Sequence, residues 1–485
     1  MKTLNLISLI MVFMIQPRMT IASAEKTYKL NQTIVNKIDQ YLSGSIENGF
    51  SGAVLISEKN VKHINKGYGL ADKEKNKPNE VQTVFDIGSN TKQFTAVAIL
   101  LLVQQGQLNL TDPVSLFFKD TTQDKHAITI HQLLIHTSGL IEAIGGDFDV
   151  ITEVDFFDQV FASELLFPIG SKYAYSNIGY SLLAKIIEIT SGQSYESYLH
   201  QNLFLPIGML NTGYIIPDWQ QQNLAKGYSR GVMNQGSMVE RYQKHNAVTW
   251  HLKGNGGINS TQEDMFLWIE ALKSNSILTA ENFELLTSGH SSIFDGFNYG
   301  YGWGINQSLD HTKRISHNGS NGSFAHNITW FPMEDILILF SSNAASPITE
   351  KMAKTIEKII FQPDFITAPI KKNPYFLVFN FVKEKQHNEA EKLLDLIKIQ
   401  YLKDFSNPDI LNRIGYNLLR EQQLPWAIEV FKINTELFIE DSNVWDSLGD
   451  AYLANNQRVQ AISSFEKAIE LGGKVSSKKL AQLSH

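Results

Sequence analysis
Two groups of strand-like segments stand at opposite ends of a long helical stretch, and that separation limits the folds open to this chain. Gly52 to Ser57 (Gly-Ala-Val-Leu-Ile-Ser) and Val61 to Tyr68 read as two strands, with Lys59-Asn60 near the turn. Far downstream, Tyr299 to Asn306, Lys313 to His317, Ser323 to Phe331 and Ile336 to Ser342 read as successive antiparallel strands. The segments between are mostly helical, so the pattern predicts one sheet built from both ends of the chain. Helices from the two termini would cover it: one with Ile34, Ile38, Tyr41 and Leu42 at helical spacing, and an amphipathic one over Ile348 to Phe361. The expected fold class is α/β (α+β), an antiparallel sheet covered by helices plus an all-helical subdomain.

Within the helical stretch, Phe85-Asp86-Ile87-Gly88-Ser89-Asn90-Thr91-Lys92 opens a helix. Phe94, Val97, Ala98, Leu101 and Leu102 recur along it at helical spacing, which predicts burial. Ser is a good helix cap, and Gly permits a tight entry. Ser89 and Lys92 lie three residues apart, on one helical face. A Ser hydroxyl is a poor nucleophile until a base takes its proton, and a Lys serves as that base only when its pKa is lowered. The pattern Ser-x-x-Lys recurs at Ser23, Ser464 and Ser476, so standing alone it reads as a helix cap and a solvated charge.

Two further motifs change that balance. Tyr175-Ser176-Asn177, the only Tyr-x-Asn in the chain, precedes a helix over Ile178 to Ile189. A phenol beside a cationic Lys loses its proton more easily and can act as a general base. Asn177 offers a donor and an acceptor with which to orient Lys92 and a substrate carbonyl. His317-Asn318-Gly319, the only His-x-Gly, ends an expected strand. The His could donate a hydrogen bond or, when charged, hold a carboxylate, and the Gly lets a substrate backbone approach. Asn-Gly is also a hairpin-turn signal.

In this order and spacing the three motifs resemble the serine β-lactamase and penicillin-binding-protein superfamily, in particular its class C-like branch of DD-peptidases, β-lactamases and carboxylesterases. The resemblance covers about residues 29–361 and extends to Thr83-Val84-Phe85, Leu134 to Leu140, Tyr299 to Gly304, and Gly256-Gly257 before Ser260-Thr261. It implies an acyl-enzyme on Ser89, with Lys92 as base or proton partner and Tyr175 sharing proton transfer and activating the deacylating water. Asn177, His317 and Gly319 would bind substrate, and the backbone N–H groups of Ser89 and Ser320 would form the oxyanion hole. His317 stands where many members carry Lys, and a largely neutral His removes a permanent partner for a substrate carboxylate. β-Lactams, D-amino-acid peptides and small esters all remain candidate substrates.

The 485 residues allow two or three domains. A net charge of −7, with no basic run carrying interleaved aromatics, argues against a nucleic-acid partner. No cysteine is present, which excludes disulfides, thiolate metal sites, a Cys nucleophile and a lipoprotein anchor. No metal motif appears, the Gly254–Gly257 run lacks the features of a phosphate loop, and no cofactor is expected. Lys2, the apolar run Leu4 to Ile15 and Ala22-Ser23-Ala24 read as a signal peptide over 1–24, predicting an exported, periplasmic or extracellular protein with no transmembrane segment in the mature chain. The hydrolase-like domain would run over 25–362 and a linker over 363–374. An all-helical domain over 375–485 resembles tetratricopeptide repeats: Trp445, Leu448, Gly449, Tyr452, Ala461, Phe465 and Ala468 follow that pattern, and Ile414, Gly415, Ala427 and Phe431 lie 34 residues before four of them. Those helices would dock on the hydrolase, self-associate or bind a protein partner. The alternative reading is a catalytically silent relative that works as a scaffold through its helical repeats.

Overall fold
The computed structural model describes residues 30–219, 223–245, 247–362 and 364–483. The signal-peptide reading of residues 1–24 lies outside them. The strands from the two ends join. β1 (Gly52–Glu58) and β2 (Val61–Tyr68) form the early hairpin. The late group comprises β3 (Ser291–Phe294), β4 (Phe297–Tyr299), β5 (Gly304–Gln307), β6 (Lys313–Ser320), β7 (Ala325–Phe331) and β8 (Ile336–Ser342). Together they make one eight-stranded antiparallel sheet, in the order β2-β1-β8-β7-β6-β5-β4-β3.

β1 and β8 run in unbroken register from Gly52 opposite Ser342 to Glu58 opposite Ile336. Both are buried along their whole length, because each face of the sheet centre carries a core. On one face Val54, Ile56, Ile338 and Phe340 pack under α1 (Gln32–Ser45) and α5 (Met352–Phe361). On the other, Leu55, Leu337 and Leu339 meet the helical insert. The insert includes α2 (Thr91–Gln104), α3 (Asn177–Ser191) and α4 (Gln262–Lys273). Side-chain caps start the latter two: Ser176 accepts from the Gly179 N–H, and Thr261 from that of Asp264.

The segment expected as one strand over Tyr299 to Asn306 is two. A turn bonds the Gly300 N–H to the Trp303 carbonyl at 2.7 Å. Tyr301 and Trp303, each 1% exposed, are drawn down into the core; burying two large aromatic side chains outweighs the ladder bonds lost. The edge strand β3 was not expected, since Ser291 to Phe294 carries little apolar patterning.

Beyond α5 the chain resumes helix at α6 (Pro374–Glu384), whose first residue is the Pro that the linker reading had included. α6 lies on the hydrolase-like body. Asn373 Nδ2 donates to the Arg230 carbonyl at 2.8 Å, and Tyr375 and Leu377 share a core with Met233. Two helix pairs follow: α7 (Asp409–Arg420) with α8 (Leu424–Leu437), and α9 (Ser442–Ala454) with α10 (Arg458–Glu470). Each closes by the same contact. A Cβ at Gly415 would come within 2.4 Å of the Phe431 ring, and one at Gly449 within 2.4 Å of Phe465. No helix among the described residues is long and apolar enough to cross a membrane.

Candidate active site
The Ser89 turn is held from both sides. Phe85 and Asp86 pair with Ser260 and Asn259, and the Ile87 N–H reaches the Ile258 carbonyl at 2.9 Å. Asp86 Oδ1 then accepts from the Gly88 N–H at 2.8 Å, which secures a left-handed Gly88 at φ +51°. Residues Gly88–Asn90 form a 3₁₀ turn before α2. Ser89 therefore does not cap the helix with its side chain, contrary to the sequence reading; its hydroxyl faces Lys92 instead.

β6 closes on this turn. A Cβ at Gly319 would sit 2.1 Å from the Ile87 carbonyl oxygen and 2.7 Å from the Ser89 nitrogen, while one at Gly88 would meet the Ser320 nitrogen at 2.7 Å. The end of β6 and the nucleophile turn thus touch backbone to backbone, bringing the amides of Ser89 and Ser320 to one place. Gly319→Ala is expected to push β6 off the turn. The overpacking should cost about 1–3 kcal/mol of stability and lower kcat roughly 10²-fold through misplacement, measured by thermal melt and ester turnover.

Lys92 is fully buried, and its Nζ has three partners: Ser89 Oγ at 3.2 Å, Asn177 Oδ1 at 2.8 Å and the Asn255 carbonyl at 2.7 Å. Burial drives its pKa well below the ordinary lysine value, with Asp147 and Glu142 opposing from a distance. A neutral amine has two hydrogens and one lone pair. In that neutral form the Asn177 and Asn255 oxygens, which can only accept, would take both hydrogens and leave the lone pair for the Ser89 O–H. Asn177 is placed for this as the first residue of α3, its own N–H bonded to the Glu142 carbonyl at 2.8 Å.

Tyr175 is half-buried, with its phenol near Ser89 and its ring centre 4.7 Å from Lys92 Nζ. The phenolate expected beside a cationic Lys is not the form this site favours. Burial pushes the phenol above its ordinary range, and the nearby Ser89 hydroxyl offsets only part of that. Burial thus biases the two groups the same way, toward a neutral amine and a neutral phenol.

His317 favours the neutral form, as the sequence reading expected in the absence of a raised pKa. Burial, and then Lys92, push it down to about 3. Its Nδ1 lies 2.7 Å from the Asn318 carbonyl, which can only accept, so Nδ1 carries the proton. Nε2 then accepts from the Tyr299 hydroxyl at 3.0 Å. Both nitrogens are occupied, and the ring offers neither charge nor donor to a carboxylate. A cleft of about 690 Å³ opens here, walled by Ser89, Tyr173, Tyr175, Tyr299, His317 and Gly319.

The structure therefore gathers Ser89, Lys92, Tyr175 and Asn177 around one point and sets His317, Gly319 and Ser320 beside it. Sequence reasoning missed three participants. The Asn255 carbonyl lies in a glycine-rich run read only as not a phosphate loop. Tyr299 and His136 entered as members of the stretches Tyr299 to Gly304 and Leu134 to Leu140 that carry the resemblance, with no role of their own. A backbone oxygen carries no residue-type signal, and the two aromatic rings gain meaning only from their neighbours.

A single eight-stranded antiparallel sheet with a helical insert, and a Ser–Lys pair against the end of its β6 strand, define a β-lactamase-like fold. Residues 34–359, about two thirds of the chain, match the family model described as Beta-lactamase, and the chain belongs to that family. It is 27% identical over 330 residues to penicillin-binding protein 4* of Bacillus subtilis, covering 64% of this chain and 72% of that protein. It is 28% identical over 372 residues to protein flp of Staphylococcus aureus, covering 73% and 72%. Among solved structures, the octameric penicillin-binding protein homologue from Pyrococcus abyssi superposes with a TM-score of 0.60 at 25% identity, covering 72% of this chain and 81% of that one.

Proposed function
We propose that this chain is an exported serine hydrolase that cleaves an ester or amide through an acyl-enzyme on Ser89. The observation that carries the reading is the hydrogen-bond set of Lys92, which leaves an amine lone pair facing Ser89 Oγ. The Ser89 proton passes to Lys92 Nζ as Oγ attacks the carbonyl carbon. The backbone N–H groups of Ser89 and Ser320 receive the oxyanion. Collapse expels the alkoxide or amine, which takes the Tyr175 proton while the proton held by Lys92 replaces it. Water then repeats the sequence on the acyl-enzyme and frees Ser89. A fluorophosphonate probe should label the wild-type chain at Ser89, located by peptide mass; labelling elsewhere or not at all sinks the reading.

The occupied, uncharged His317 points to acyl donors without a carboxylate beside the scissile bond, so neutral short-chain esters and amides are favoured over β-lactams and D-Ala-D-Ala peptides. His317→Lys restores a cation and should raise kcat/KM for a cephalosporin relative to a neutral ester by roughly 10–100-fold, the worth of one hydrogen bond to a charged group. An unchanged ratio counts against the assignment. The C-terminal helices are assigned as tetratricopeptide-like repeats on the two matched Gly–Phe contacts 34 residues apart (449 − 415 and 465 − 431). α6 serves as their dock on the hydrolase.

A further inference from the structure
His136 stands in the left-handed region at φ +60° although it is not a glycine, and it is fully buried. A non-glycine residue there costs of order 1–3 kcal/mol and persists only where its surroundings enforce it. Its contacts show what the conformation achieves. The His136 carbonyl accepts from the Ala174 N–H at 2.9 Å, and its ring Nδ1 accepts from the Ser176 N–H at 3.1 Å. Residues 174 and 176 flank Tyr175. The imidazole also packs on the Tyr175 ring, with centroids 4.4 Å apart, and on the Tyr299 ring at 4.6 Å.

We propose that His136 is a positioning residue for Tyr175, clamping the backbone on both sides of it and bracing its ring, so that the phenol stays in register with Ser89 and Lys92. The clamp requires Nδ1 as an acceptor, so the imidazole must stay neutral. Burial and nearby Lys92 hold it so, far below the ordinary histidine range. The role rests on the reading of Tyr175 as proton donor, and the test separates the two.

The test uses the full chain and p-nitrophenyl acetate. Tyr175→Phe should lower kcat about 10²-fold or more, as loss of a general acid does; unchanged turnover would sink the Tyr175 reading and with it the role given to His136. In the otherwise native chain His136→Ala should lower kcat by roughly 10–100-fold with KM changed less than about 3-fold. In the Tyr175→Phe background the same change should lower kcat less than about 3-fold, because the group being positioned is already gone. His136→Asn keeps a short-range acceptor and tolerates positive φ, and should recover kcat to within about 5-fold. His136→Gln fills the volume with its acceptor one bond too far, and should behave like Ala; it replaces Ala in the cycle if circular dichroism shows that Ala fails to fold. An equal penalty in both backgrounds, or an Asn variant as impaired as Gln, overturns the proposal.

Discussion
The Ser89→Ala chain takes up no fluorophosphonate or fluorescent penicillin, and its turnover of a chromogenic short-chain ester falls by at least about 10⁴-fold. The expectation follows from the site having one group able to form the acyl bond. Lys92 is enclosed by Asn177 and Asn255, and Tyr175 holds its proton. Removing a single oxygen from a half-buried turn leaves the fold intact, because the turn is held by Asp86, Ile258 and Gly319 rather than by the hydroxyl. The melting temperature should move less than about 2 °C. Labelling that persists in the alanine chain would place the nucleophile elsewhere and remove the mechanism above.

Lys92→Arg should cost about 10²–10⁴-fold in kcat, as loss of a general base does. Arginine is bulkier, carries a permanent positive charge and does not deprotonate in proteins, so the change replaces a base by a fixed cation. The pH dependence carries the same distinction. The working form is the neutral amine, so activity is lost as pH falls through the Lys92 pKa and is full above it. Burial places that pKa well below the ordinary lysine value. An unperturbed lysine base would give a rate rising about tenfold per pH unit from about pH 7 toward 10. This site should instead reach its plateau at a lower pH than such a lysine would, because burial moves the Lys92 pKa down. Tyr175 adds no alkaline limb there, because burial moves its pKa up and away. A rate that climbs steadily across that window means a charged Lys92 at neutrality, and Asn177 and Asn255 would then hold an ammonium.

The strands of both ends were legible because polar and apolar residues interleave in β2 and β6, and because runs such as Gly52 to Ser57 and Ile336 to Ser342 announce burial on both faces. The catalytic residue types were legible because Ser-x-x-Lys, Tyr-x-Asn and His-x-Gly occur in one order. The two-strand split at Tyr299 to Gln307 was not, since core aromatics at 301 and 303 read like alternating strand residues.

By itself, the order of residues determined which groups are available for chemistry, the sheet assembled from both ends and the 34-residue recurrence of the last helices. All three depend on local periodicity or on residue type. Only the tertiary structure decided which of those groups carry charge. Packing removed water from Lys92, Tyr175 and His317 together and supplied partners from segments far apart in the chain, among them the carbonyl of Asn255 and the hydroxyl of Tyr299. A protonation state reflects everything within several ångströms of a group, and neighbours that close are fixed by folding rather than by adjacency along the chain.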